Sequence, residues 1–323
     1  MIMLGRMYAL LQNHKRFATG HSWIWRLKTN IARHPSLYLM MIPVAAFYLI
    51  FCYWPMYGVL ISFQDFKPAK GIWGSAWVGL SHFSSFVNGM YFERLVRNTL
   101  SINIGQLLFG FPLPIIFAIL LNELRSVWFR RTVQTVTYMP YFISATVVCG
   151  LVVQFTRVDG ILTYFLSFFG VQQTNLLTVS RYFQPIYIGM TIWQELGWSS
   201  IIYFAALSGI DQELYEAAVI DGAGRFRKML SVTLPGIAPT IVILLILRIG
   251  NLMNLGWDRI ILLYNERVYE TADVISTYVY RRGLLKFEYS YGAAVGLMNS
   301  VINIFLLLGA NWVSRKLSEN SLW

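Results

Sequence analysis

The 323-residue sequence predicts an all-α, polytopic membrane protein with six transmembrane helices. Three observations carry that prediction. Apolar residues make up 56% of the chain and charged residues only 13%, about half the charged share of a soluble domain. The apolar residues gather in six solid runs, each close to the roughly 20 residues that an α-helix needs to cross about 30 Å of hydrocarbon. None of the runs alternates polar and apolar positions, as the strands of a membrane barrel do.

Residues 1–36 are basic and carry Trp23 and Trp25, which reads as a cytoplasmic segment lying along the membrane surface. The first span, 37–63, is too long for the apolar stretch of a signal peptide and lacks a small-residue cleavage site, so it is expected to stay as an anchor. The remaining spans are expected at 99–121, 133–155, 183–207, 234–255 and 291–313, which together give one membrane domain over 37–313. Between them lie outer loops at 64–98, 156–182 and 256–290, an inner loop at 208–233, and a cytoplasmic tail at 314–323. With both termini inside, 14 Lys and Arg residues fall on the inner segments and 11 on the outer ones, and the inner charges cluster near span ends, where they orient a membrane protein. The net charge of +11 follows from this bias, and no nucleic-acid partner is needed to explain it. Cys52 and Cys149 both lie inside expected spans, and His14, His21, His34 and His82 all lie outside them, so no disulfide framework or metal site is indicated.

The sequence contains no G-x4-G-K-[ST] phosphate loop, no nucleophile elbow and no H-E-x-x-H helix. The chain is therefore expected not to be an enzyme, and any ATP and Mg would bind to another polypeptide.

The inner loop carries the most specific pattern: Glu216-Ala217-Ala218, three residues, Gly222, nine residues, then Val232-Thr233-Leu234-Pro235. Ser208 or Asp211 can cap a helix running through Leu214, Glu216, Ala217 and Ile220. Gly222 and Gly224 then break it, and Phe226, Met229 and Leu230 give the apolar face of a second short helix. The small Ala217 and Ala218 allow a partner to approach closely. The stretch resembles the "EAA" loop of bacterial ABC-importer permeases, E-A-A-x3-G-x9-I-x-L-P, with Val232 in place of Ile. The resemblance implies the type I ABC-importer permease architecture, with Glu216, Ala217, Ala218, Gly222, Leu234 and Pro235 coupling the membrane domain to a separate ATPase.

Polar groups inside a bilayer are costly, so they face a cavity or another helix. On a fifth span running to 255, Arg248, Asn251 and Asn254 share one face, and Asp258 continues it outward. The fourth span offers Glu195 between Trp193 and Trp198, two indoles suited to sugar faces. These six residues (Arg248, Asn251, Asn254, Glu195, Trp193 and Trp198) are the candidate substrate path. The competing reading is helix–helix hydrogen bonding, with Arg248 paired to Glu195 and the tryptophans acting as packing or interface residues. Asn103, Gln106, Asn299 and Asn303 read as links between helices. Arg281, Arg282 and Lys286 in the last outer loop, interleaved with acidic residues, read as a docking surface for a transient partner.

The stretches Arg248 to Asn254, Leu262 to Asn265 and Tyr269 to Arg281 also resemble the LplB branch of oligosaccharide permeases, and the resemblance covers nearly the whole membrane domain. A closer similarity is to the permease subunits of bacterial alginate-oligosaccharide importers. It implies a bacterial inner-membrane subunit paired with a second, homologous permease, two ATPase subunits and an extracytoplasmic solute-binding protein. Arg248 suits a polyuronate cargo through charge-assisted hydrogen bonds. A permease for a neutral sugar, a secondary transporter using Glu195, and a non-transporting scaffold remain the alternatives at this point.

Overall fold

In a computed structural model the described residues are 29–317 and 321–322. The expected surface segment over 1–36 thus lies, for residues 1–28, outside the described residues. The chain divides into two compact units, Met1–Gly58 and Val59–Trp323. The described part of the first is almost wholly helical, with a proline at the start of the helix that opens at Pro35. The helical run α1, Pro35–Phe63, is long and apolar enough to cross a membrane.

In the second unit, two-residue strands β1 (Gln64–Asp65) and β2 (Ala76–Trp77) pair antiparallel, with Gln64 opposite Trp77. Helices follow at α2 (Ser81–Val87), α3 (Phe92–Asn122), α4 (Val127–Tyr138), α5 (Ala145–Thr156), α6 (Ile161–Ser167), α7 (Ser180–Ser208), α8 (Gln212–Ile220), α9 (Arg225–Gly250), α10 (Trp257–Leu263), α11 (Ile275–Val279) and α12 (Tyr289–Leu317). Among the described residues, α1, α3, the run Ala145–Ser167, α9 and Tyr289–Lys316 of α12 are long and apolar enough to cross a membrane.

The 29-residue helix α7, over the expected fourth span, is long enough but less apolar than those five. Packing explains its composition. Phe183, Tyr187, Met190, Gln194, Gly197, Ser200, Tyr203 and Leu207 recur every three or four residues along it and are all buried, so this face meets protein rather than lipid. Gly197 marks the closest approach: a Cβ there would sit 2.2 Å from the Thr137 carbonyl oxygen of α4. Packed against α7 at one end are Ile102, Val148, Leu255, Ile260 and Val274; at the other are Ile115, Ala118, Ile119 and Ile237.

The structure corrects two expected spans. Residues 133–155 are not one helix: α4 ends at Tyr138, Met139–Phe142 forms a tighter turn around Pro140, and Ser144 caps α5 by accepting a hydrogen bond from Val147 N. Proline withholds a backbone donor, and the Ile143 carbonyl left outside both helices accepts a 3.0 Å hydrogen bond from Gln194 Nε2 on α7. The fifth span does not reach 255. It starts earlier, at Arg225, and stops at Gly250, which lies against Leu307 of α12. Beyond it Asn251 Nδ2 donates back to the Leu247 carbonyl, and Asn303 Oδ1 accepts from Met253 N, so side-chain amides take over the backbone bonding that a longer helix would supply.

Candidate functional site

A cavity of about 620 Å³ lies beside the middle of α7, between the two ends of its packed face. Its wall includes Gln106 and Phe111 of α3, Glu195 and Trp198 of α7, and Arg248 and Asn251 at the end of α9. Gln106 sits where α3 widens by one residue per turn over Gln106–Gly110, a distortion that often accompanies function. The Gln106 amide is buried, and its Oε1 accepts a 2.6 Å hydrogen bond from Arg248 Nη2. Glu195 Oε1 instead accepts a 2.9 Å bond from Arg259 Nη1 of α10. The expected alternative pairing of Arg248 with Glu195 is therefore not the one formed. Among the described residues lining the cavity, only Glu195 and Arg248 carry charge, and no described carboxylate pairs with Arg248.

The other expected path residues divide. Asn251 lines the cavity, but as the residue closing α9 rather than as part of a helical stripe. Asn254 lies beyond the helix, where its Nδ2 donates to Asn251 Oδ1 and its Oδ1 accepts from Asn299 Nδ2 of α12. Asp258 belongs to the first turn of α10. Trp198 lines the cavity with one face already stacked on Tyr141, ring centres 4.5 Å apart and planes 4° off parallel. Trp193 is half exposed and lies outside the cavity lining. Gln106 does link two helices, α3 and α9, as expected of it, whereas Arg259 is not among the expected site residues. Both roles rest on pairings across 142 and 64 residues, which spacing along one helix does not reveal.

At one end of the bundle, Asp211 caps α8 by accepting from Glu213 N, whereas the Ser208 hydroxyl turns back to the Phe204 carbonyl. Glu216, Ala217 and Ala218 lie on α8, which Gly222 ends in a left-handed conformation at φ 73°. The Ala223 amide bonds back to the Ala218 carbonyl, closing the turn. No separate second helix forms: Arg225 opens α9 itself, and the helix runs on through Leu234 and Pro235. Tyr215 Oη and Thr233 Oγ1 lie 3.0 Å apart, and Tyr215, Met229 and Val232 pack against Ile237 and its neighbours, fixing α8 to the base of α9. Leu214, Val219, Ile220, Phe226 and Leu230 remain exposed there, with Ile220 86% and Phe226 81% accessible.

The expected docking arginines face inward. Asp273 is fully buried and receives both Arg281 nitrogens at 2.8 Å and Arg94 Nη2 at 3.1 Å. Burial works against the charge of Arg281, but hydrogen bonds to Asp273 and Tyr264 outweigh it and hold the guanidinium above its ordinary pKa. Arg282 pairs with Glu288, bonds the Tyr278 hydroxyl and lies over the Tyr291 ring. Both arginines sit in the wider turn Tyr280–Leu285 after α11, engaged by these partners and partly exposed. Exposed charge in the loop over 256–290 sits on Asp258, Glu266, Arg267 and Glu270, and on the expected docking residue Lys286.

Residues 110–319 match the family described as binding-protein-dependent transport system inner membrane component. The chain is 44% identical over 305 residues to protein LplB of Bacillus subtilis (strain 168), spanning 94% of this chain and 95% of LplB. It is 42% identical over 299 residues to the polygalacturonan/rhamnogalacturonan transport system permease protein YteP of the same organism, spanning 92% of this chain and 93% of YteP. Its fold matches a chain in the crystal structure of a bacterial alginate ABC transporter in complex with alginate pentasaccharide-bound periplasmic protein, with a TM-score of 0.83 and 41% identity, over 92% of this chain and all of that one.

Proposed function

The chain belongs to the family of binding-protein-dependent transport system inner membrane components, and on that premise we propose that it forms half of an ABC importer's path for acidic oligosaccharides of the alginate type. The observation that carries the cargo reading is the charge state of the cavity. Arg248 is held by a neutral amide and has no acidic partner among the described residues, while the charge of Glu195 is met by Arg259. A planar guanidinium fixed from behind and open in front matches a uronate carboxylate. The cavity lies mid-bundle, where an unpaired cation would cost several kcal/mol without a purpose.

In this reading a second permease of the same family closes the other side of the path. Two ATPase subunits, which bind ATP and Mg, seat against α8. Glu216 faces a basic group there, and the exposed Leu214, Val219 and Ile220 supply apolar contact. The tie between Tyr215 and Thr233 carries rigid-body motion of α8 into α9. The solute-binding protein delivers cargo at the opposite end, over the mixed charges of Glu266, Arg267, Glu270 and Lys286. Both termini and α8 then face the cytoplasm of a bacterial cell.

Reconstitution of the complete importer in proteoliposomes tests the proposal. Uptake of alginate oligosaccharide should require ATP and the binding protein, and neutral oligosaccharides of equal length should not compete. ATP-independent uptake, or preference for the neutral sugar, overturns it.

A further inference from the structure

We propose that Arg259 is a specificity-determining residue: by cancelling the charge of Glu195, it leaves Arg248 as the single uncompensated charge facing the cavity. The inference rests on the reading of the cavity as a path for acidic cargo and adds a residue that does not line it. Glu195 is the one carboxylate in the described cavity wall, and its side chain is 37% exposed. Left alone, it would oppose a uronate and offset Arg248. Arg259 prevents this from outside the lining, with its Nη1 2.9 Å from Glu195 Oε1 and its own side chain 22% exposed.

The fold presents Arg259 deliberately. The chain leaves α9 at Gly250, is clamped by the α12 amides Asn299 and Asn303, and re-enters the bundle as α10 with Ile260 and Leu263 in the core. Cys149 Sγ of α5 lies 3.8 Å from the Arg259 carbonyl, so the backbone at this residue is also in contact with α5. Had α9 continued as one straight helix, residue 259 would stand about three turns beyond Arg248, roughly 16 Å along the axis. The early end of α9 is thus what brings a second arginine to the level of Glu195.

A purely mechanical clamp between α7 and α10 is the competing role, and the two differ in what neutralising both partners does. The measurement is initial uptake of radiolabelled alginate trisaccharide into proteoliposomes holding the complete importer, with each variant normalised to permease content. Arg259→Gln should lower uptake about tenfold, the scale of one unit charge acting from about 10 Å through an effective dielectric constant of about 20. The double variant Arg259→Gln/Glu195→Gln, which has no ion pair at all, should recover most of that loss, and Arg259→Lys should stay close to the parent. If the double variant is as poor as Arg259→Gln, the pair is a clamp and the proposal fails. Arg248→Gln in the same series separates the two ideas. Impaired uptake there beside unimpaired Arg259→Gln sinks the role of Arg259 alone, whereas full uptake by Arg248→Gln sinks the acidic-path reading and this inference with it. Should Arg259→Gln not accumulate, a double variant that accumulates and transports while Arg259→Lys also transports still supports charge cancellation, and one that accumulates without transporting overturns it.

Discussion

The Gln106 side chain accepts a 2.6 Å hydrogen bond from Arg248 and joins α3 to α9 at the cavity wall. A neutral acceptor orients the guanidinium without consuming its charge. An arginine paired with a carboxylate would instead present almost no net field to a passing cargo.

Accessibility of this wall can be read by thiol chemistry. In a background without Cys52 and Cys149, cysteine at 251 should react readily with water-soluble thiol reagents, because Asn251 is exposed in the cavity lining. Cysteine at 253 should react far more slowly, because Met253 is only 5% exposed. Equal rates at the two positions would remove Asn251 from an aqueous path.

The buried Asp273 organises the outer loop. Replacing it with Ala strands Arg94 and Arg281 and should destabilise the fold by about 3–5 kcal/mol, the usual cost of removing one partner from a buried ion pair. The thermal unfolding midpoint of purified protein should fall clearly below that of the parent. An unchanged midpoint would mean that the network adds nothing to the fold.

Gly222 adopts φ 73° with no atom within 4 Å of where a Cβ would stand, so the conformation and not the space restricts this site. A β-branched residue there costs about 1–2 kcal/mol, whereas Asn tolerates the left-handed region. Gly222→Val should cut ATP-driven uptake with permease content unchanged, and Gly222→Asn should retain most of it. Equal transport by both variants would separate the turn from coupling.

Reversal of the exposed Arg267 and Lys286 to Glu should weaken stimulation of the ATPase by the loaded binding protein, most strongly at low salt where surface charges are least screened. Basal hydrolysis should persist. A response identical to the parent at low salt places docking elsewhere.

Elements governed by local chemistry were legible in the sequence. The cap at Asp211 and the turn at Gly222 follow from side chains within a few residues of the backbone they satisfy. Elements governed by distant partners were not. The break near Pro140 depends on Gln194 meeting the Ile143 carbonyl, and the early end of α9 depends on Asn303 from another helix. Extending α9 to 255 produced an orderly polar stripe that the chain does not form as a helix. Arg281 reads as a surface charge because hydropathy gives no sign that Asp273 is buried beside it, and Arg282 because its partners Glu288 and Tyr278 are not evident from spacing.

Direct contact between Arg248 and an acidic cargo is best tested by uptake of alginate trisaccharide through Arg248 variants of the complete importer. Arg248→Ala should lower uptake by at least about tenfold, corresponding to loss of one charge-assisted hydrogen bond of about 1.5–3 kcal/mol. Arg248→Lys should recover little, because a point charge does not reproduce the planar fork that holds Gln106 and a carboxylate together. Unimpaired uptake by Arg248→Ala, at equal permease content, would mean that Arg248 does not hold the cargo.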